Sequence, residues 1–172
     1  MVNSIKYFEE ECINRFEKLE NEFIKNPTKL AEYIYGLTDE LHKLGLEMIR
    51  ESLETMDQML QKSQIRKKNW VVEAHSNKQL TTSLGDVTFS KTLFTNKETG
   101  KSEYLLDRIL GIDPNERLTE DAEAKLLEEA VQTSYRRGGN NVSLSSEVSK
   151  QTVKNKIHSL IIPATNEKTE LK

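Results

Sequence analysis

Apolar residues spaced three and four positions apart recur without interruption from Lys29 to about Lys62. This spacing places one apolar side chain per turn on the same side of an α-helix. A helix of this length cannot bury such a stripe alone, so every fold open to the chain must give it a partner. The stripe consists of Leu30, Ile34, Leu37, Leu41, Leu44 and Met48, and then shifts towards Leu53, Met56 and Leu60.

A second amphipathic helix is predicted upstream, from about Asn3 to Asn26, where Pro27 ends it because proline cannot donate to the preceding turn. Its stripe consists of Ile5, Phe8, Cys12, Phe16, Leu19 and Phe23. We expect the two helices to fold back as an antiparallel hairpin or to pair with a second chain. The seven-residue seam of the long helix is therefore either a packing element or a homo-oligomer interface through residues 3–62.

The middle of the chain changes character after a short basic segment, Gln64–Asn69, which we interpret as a solvated linker. Beyond it, β-branched and aromatic residues predict short strands. A tight turn at Gly85-Asp86 and a longer one at Asn96–Lys101 favour an antiparallel meander with one face against the long helices. The predicted strands are Trp70–Ala74, Gln79–Leu84, Val87–Phe94 and Ser102–Leu106.

A third helix is predicted from the residues after Thr119 to Tyr135-Arg136-Arg137, before Gly138-Gly139. Thr119 can cap its first turn, where acids follow at once, and the bases stand at its last turn. Glycine is the residue type that most often follows a helix end. All of these end signals agree.

The segment Val142–His158 has the pattern of a helix-turn-helix: a short helix, a tight turn and a second helix capped by Ser149. A small residue, Ser143, and an apolar turn residue, Val148, stand where such motifs need them, and Val153 and Ile157 face back from the second helix. Glu147 departs from the pattern, because glycine is common at that turn position. The alternative is two ordinary packed helices with a solvated polar face.

The helix-turn-helix interpretation leaves polar side chains facing outward from the second helix, where such groups reach base edges and phosphates. The net charge of the chain is -3, so DNA binding would need a local patch, and the bases of this region, Lys156 included, are balanced locally only by Glu147. The candidate DNA-binding residues are Arg136, Arg137, Ser149, Lys150, Gln151, Thr152, Lys154, Asn155 and His158.

Six segments form a recognisable set: Thr82–Val87, Asn96–Gly100, Leu105–Ile112, Glu116–Ala124, Glu128–Gly139 and Val148–Val153. Together they closely resemble the N-terminal portion of the ISLre-type insertion-sequence transposases, over roughly Asn69 to Pro163. The resemblance implies a metal-dependent DNA transposase of the DDE type whose acidic triad lies in a ribonuclease-H-like domain downstream of this region. No residue of this chain is therefore expected to be catalytic.

Other chemistry finds less support in the residues. Cys12 lies on an apolar stripe, which favours a buried structural thiol over a nucleophile. His158 could contact phosphate or simply complete a helix end, and Trp70 could stack on a base or pack in the core. We expect no metal site, no cofactor, no small-molecule substrate and no membrane span, and a cytoplasmic, nucleoid-associated protein.

The sequence thus predicts a mainly α fold with a small antiparallel β meander, an α+β protein. The predicted units are a helical hairpin over residues 1–63, a basic linker and meander over 64–112, a three-helix unit with the helix-turn-helix over 113–162, and a polar tail over 163–172. The expected function is binding of duplex DNA, as at transposon ends. The alternative is a helical protein-interaction module that uses the seam of the long helix and binds no DNA.

Overall fold

The computed structural model describes residues 2–132, 139 and 148–159. Within these residues the chain is mainly helical with one small antiparallel sheet, which confirms the predicted fold class. The helices are α1 (Val2–Tyr7), α2 (Ile13–Lys25), α3 (Leu30–Lys62), α4 (Gln64–Asn69), α5 (Leu105–Leu110), α6 (Glu120–Gln132) and α7 (Lys150–Ser159). A π-helical turn (Phe8–Cys12) joins α1 to α2, and a 3-10 turn (Pro27–Lys29) precedes α3. The strands are β1 (Trp70–Thr81), β2 (Asp86–Asn96) and β3 (Ser102–Tyr104).

The first two helices lie antiparallel along α3, with contacts from Tyr33 to Glu51. Residues further along α1 and α2 contact residues earlier on α3, and the two numbers change by nearly equal amounts. This is the contact pattern of an antiparallel hairpin. Gly36 allows the closest approach, because a Cβ there would lie 2.6 Å from Leu19 Cδ2. Cys12 is fully buried, as its stripe predicts, and burial raises the pKa of its thiol. The contacts are Ser4 with Glu51, Arg15 with Glu40, Leu19 with Gly36, and Phe23 with Tyr33.

The back half of α3 packs on the sheet and on α5, forming the larger of two apolar clusters. Phe89 of β2 and Leu106 of α5 are almost completely buried in it. The fully buried members are Leu80, Val87, Phe89 and Leu106, and α3 contributes Leu46, Ile49, Leu53, Met56 and Leu60. The prediction that one face of the meander packs against the long helix is confirmed.

Helix α3 also covers the edge of β2 that β3 leaves unpaired. The backbone N–H of Ser90 donates to Glu54 at 3.2 Å, and that of Thr92 donates to Asp57 at 3.0 Å. Asp57 also accepts from the Thr92 hydroxyl at 2.6 Å. An uncovered strand edge invites pairing with other chains, so these carboxylates complete the sheet where a fourth strand would otherwise add.

Three boundaries in the middle of the chain differ from the prediction. The basic segment Gln64–Asn69 is helical, and its Arg66 is buried with its guanidinium 5.2 Å from the Phe94 ring centroid. The two strands predicted before Gly85 are one continuous strand, β1, which pairs with β2 along its whole length except for a bulge near Val72. The strand predicted to reach Leu106 ends at Tyr104, because Leu105 and Leu106 turn inward on α5.

A second apolar cluster lies in the C-terminal part, between α6 and α7. It consists of Leu118, Ala122, Leu126, Ala130 and Val153, flanked by Leu127, Val148 and Ile157. Backbone hydrogen bonds join this part to the sheet, since Thr81 N–H donates to the Arg117 carbonyl at 2.7 Å and Thr119 N–H donates to the Thr81 carbonyl at 3.1 Å. The start of α6, the helix against which α7 packs, is thus attached to the end of β1.

Candidate nucleic-acid interface

Helix α7 begins where the sequence predicts, directly after Ser149. The Ser149 hydroxyl accepts from the backbone N–H of Thr152 at 3.2 Å, which satisfies one of the donors that the first turn of a helix leaves unpaired. The Ser149 hydroxyl also lies 2.9 Å from the Thr152 hydroxyl. The predicted N-cap is therefore present, and it uses both of the hydroxyl residues proposed for the site.

The inner face of α7 is apolar and closely packed. Val153 is fully buried, and Val148 and Ile157 pack beside it, which confirms their predicted inward positions; the surface they pack against is α6. Gly139 is helical, buried, and accepts a hydrogen bond from the Val148 N–H at 2.8 Å. A Cβ at Gly139 would lie 2.2 Å from the Val148 carbonyl oxygen, so no larger residue fits this arrangement. Gly139 is thus a close-contact residue in helical geometry, and the helix end that the sequence predicts before Gly138-Gly139 lies outside the described residues.

The outer face of α7 is polar and exposed. Gln151 Nε2 donates to Asn155 Oδ1 at 2.7 Å, so the two amides lie side by side one turn apart. Lys150, Lys154 and His158 follow one another at intervals of four residues, which places them on one side of the helix. The exposed residues of the predicted site are Ser149, Lys150, Gln151, Thr152, Lys154, Asn155 and His158.

Lys156 does not belong to this exposed face, although its charge is part of the basic patch predicted from the sequence. Its ammonium contacts Glu116 Oε1 at 2.8 Å and also pairs with Glu123 of α6. These hydrogen bonds raise the pKa of Lys156 against the opposing effect of burial, and Lys156 lowers the pKa of Glu116. Lys156 therefore fastens α7 to α6 and to the loop before it. Lys156 lies three residues after Val153 and directly before Ile157, and this spacing in the sequence places it near the inner face of the helix.

Several predicted features lie outside the described residues. They are Arg136 and Arg137, the first helix and turn of the predicted motif (142–147, with Ser143 and Glu147), and the tail. Of the segment predicted as a helix-turn-helix, the structure describes only the second helix and the packing beneath it. Trp70 is half-buried, with the Arg108 guanidinium 5.7 Å from its ring centroid.

The exposed face of α7 combines cations with amide groups and has no carboxylate between Ser149 and His158. The helix rises about 1.5 Å per residue and so presents a face some 15 Å long, comparable to the width of the DNA major groove at about 12 Å. Side chains of these types can bind phosphate and read base edges. Among the described helices, none is long and apolar enough to cross a membrane.

Comparison with known proteins places the chain in a family. Residues 23–172 match the model of the Uncharacterised protein family (UPF0236). The UPF0236 protein TTE2489 of Caldanaerobacter subterraneus subsp. tengcongensis is 38% identical over 153 residues, which cover 89% of this chain and 32% of that protein.

A second relative from the same organism, UPF0236 protein TTE0402, is 37% identical over 153 residues, covering 89% of this chain and 30% of that protein. The chain thus spans about a third of the length of the curated relatives it matches. No solved structure matches it. The chain belongs to the UPF0236 family.

Proposed function

We propose that this chain is the DNA-binding module of a transposase-like protein and that it contacts duplex DNA through the outer face of α7. The observation that carries the proposal is that this face is exposed and free of carboxylates while the opposite face is fixed by Val153, Gly139 and Lys156. A reading helix needs both properties, because its side chains must be accessible and its axis must be held.

The chemistry of the exposed side chains fits two parts of the duplex. Lys150 and Lys154 are suited to phosphate, and the amides of Gln151 and Asn155 are suited to the donor and acceptor pattern of adenine. The chain carries a net charge of -3, so association would depend on this patch and not on a general attraction. In this proposal the chain works in the cytoplasm on the nucleoid, needs no cofactor and has no catalytic residue of its own.

The relatives give the proposal a second line of support. One relative, 34% identical over 153 residues, carries a name that joins eleven locus designations of a single organism. A gene present at many places in one genome is what an element that moves and copies itself would leave behind. The relatives are also about three times as long as the matched region, which leaves length for a catalytic domain outside it.

Gel retardation of a duplex oligonucleotide tests the proposal on the full chain. We expect the wild type to bind, with an affinity that falls steeply as salt rises, and Lys150→Ala with Lys154→Ala to abolish the shift at moderate salt. A matched control removes two exposed lysines elsewhere, Lys68→Ala with Lys101→Ala, and should retain binding. Circular dichroism should show the same helix content in all three proteins. The proposal fails if the α7 variant binds as tightly as the control.

A second candidate function rests on a different surface, the exposed apolar stripe of α3 from Leu30 to Met48. Leu30, Ile34, Leu41 and Met48 are each more than half exposed, because α1 and α2 cover another side of the helix. An apolar stripe with seven-residue spacing fits a second copy of the same stripe, so the partner in this candidate is another copy of the chain.

Light scattering in solution tests this candidate. Ile34→Asp with Leu41→Asp should convert an oligomer to a monomer, and Glu32→Asp with Asp39→Glu, which keeps the charge of the same exposed region, should not. A monomeric wild type would exclude the oligomer. DNA binding should be the same in the variant as in the wild type if the two functions are separate.

A further inference from the structure

Two lysines and one aspartate are buried together between the sheet and α5. Lys78 of β1 is 7% exposed, Lys91 of β2 is 5% exposed and Asp107 of α5 is 4% exposed. Lys78 Nζ lies 3.1 Å from Asp107 Oδ2, and Lys91 also pairs with that oxygen. Because two ammonium groups share one carboxylate, this buried cluster carries a net positive charge.

The remaining contacts of the cluster do not neutralise that charge. Lys78 donates to the Asp113 carbonyl at 3.2 Å, and the Lys91 ammonium lies 3.7 Å from the centroid of the Tyr104 ring. Both contacts are attractive, yet neither partner carries a full negative charge. An unbalanced charge at such depth is costly, which favours a bound anion as the missing partner.

Both lysines line a cavity of about 570 Å³ that is open to solvent. Arg117 and Asn115 also line it, so further hydrogen-bond donors stand beside the two lysines. Among the residues of its wall, Glu116 is the only carboxylate, and it is bound to Lys156 of α7. The cavity therefore adjoins the helix of the candidate DNA interface.

We propose that this cavity binds a phosphate group between Lys78, Lys91 and Arg117. Two ammonium groups and a guanidinium match the several charged oxygens of a phosphate better than the two oxygens of a carboxylate. The inference rests on the proposed function for the identity of its ligand, a backbone phosphate of the DNA that α7 contacts. Free phosphate is the other source of the same chemistry, and the experiment separates the two.

The first arm of the test uses inorganic phosphate as the probe on the full chain. The melting temperature is measured with phosphate and with chloride at equal ionic strength. We expect 10 mM phosphate to raise Tm by about 2 °C or more in the wild type and in the surface control Lys101→Gln. Lys91→Met and Arg117→Gln should lose this rise. Lys91→Met leaves Lys78 and Asp107 paired one to one, and Arg117 is exposed, so both variants should fold.

The second arm measures the salt dependence of duplex DNA binding. Arg117→Gln should reduce the slope of log affinity against log salt by about one if the site takes a backbone phosphate. If the Tm rise depends on Arg117 while the slope is unchanged, the site holds free phosphate instead. If phosphate does not raise the Tm of the wild type, or if it raises the Tm of all variants equally, the site does not exist. If phosphate raises the Tm of the wild type but the wild type does not bind duplex DNA, the phosphate site is supported and only the proposed function is wrong.

Discussion

Lys156 Nζ lies 2.8 Å from Glu116 Oε1, and this contact joins α7 to the loop that leads into α6. Lys154, two residues earlier on the same helix, is exposed. The two lysines are chemically identical, so their different surroundings predict different consequences of the same substitution. Lys156 acts on the position of the helix, and Lys154 acts on the DNA itself in the proposed function.

We expect Lys156→Gln to lower Tm and DNA affinity together, while the salt slope of binding stays near the wild-type value. Lys154→Gln should leave Tm unchanged and reduce the slope by about one, because one phosphate contact is lost. Thermal melts and binding titrations at several salt concentrations give both quantities. Equal slope changes in the two variants would mean that Lys156 also contacts phosphate, contrary to its ion pairs with Glu116 and Glu123.

Gly139→Ala should destabilise the chain. The new Cβ would lie 2.2 Å from the Val148 carbonyl oxygen and 3.2 Å from Val153 Cγ2, so backbone must move to admit it. We expect a loss of about 1–3 kcal/mol in the free energy of unfolding, measured by urea denaturation.

Gly45→Ala is the control for this measurement. Its Cβ would meet Leu84 Cδ1 at an ordinary 3.4 Å within α3, and alanine favours the helix by about 1 kcal/mol over glycine. The two substitutions should therefore change stability in opposite directions. A neutral Gly139→Ala would show that α7 does not approach this residue so closely.

Asp121 links the turn between β1 and β2 to the start of α6. Its Oδ2 accepts from the Ser83 N–H at 2.8 Å, and the hydrogen bonds from Ser83 and Thr119 outweigh the effect of burial and lower its pKa to about 2. The folded pKa lies below the unfolded value of about 3.9, so the stabilisation is present above pH 4 and is lost as pH falls towards 2.

The corresponding variant is Asp121→Asn. Because Asp121 is exposed to solvent, we expect it to cost about 1 kcal/mol or less at pH 7. The difference from the wild type should shrink between pH 4 and pH 2 in denaturant titrations. A difference that stays constant across this range would mean that the charge of Asp121 contributes nothing.

Periodicity in the sequence predicts the helices and the meander well, because each apolar stripe needs only local spacing to be recognised. The spacing from Leu30 to Leu60 predicts α3 almost to its last residue. The same spacing does not show which side of α3 is covered. The structure packs Gly36, Glu40 and Glu51 against α1 and α2 and leaves Ile34 and Leu41 exposed, since the helix-helix contacts depend on Leu19, Arg15 and Ser4 far away in the chain.

The errors at boundaries have a similar origin. Gln64–Asn69 is strongly basic, yet Arg66 is held by the Leu60 carbonyl and the Phe94 ring, and neither contact is visible from composition. Lys78 and Lys91 alternate with apolar residues on inward strand positions, where lysine is rare unless paired. That alternation is a signal for the buried cluster, but its partner Asp107 lies on α5, a helix that the sequence does not predict and whose first two residues it assigns to a strand.

The outer face of α7 could be predicted residue by residue, because Ser149, Val153 and Ile157 define the cap and the inner face of the helix. The role of Gly139 could not, since its contact with Val148 is a tertiary one. Lys156 was counted in the local basic charge because charge alone does not distinguish a lysine that meets solvent from one that meets Glu116 and Glu123.

Backbone amide shifts of the isotope-labelled full chain, followed while duplex DNA is added, test the central claim most directly. We expect the largest shift changes at the amides from Ser149 to Asn155, and we expect these changes to disappear at high salt. Changes that leave these amides untouched, or that fall instead on the exposed α3 stripe around Ile34 and Leu41, would contradict it.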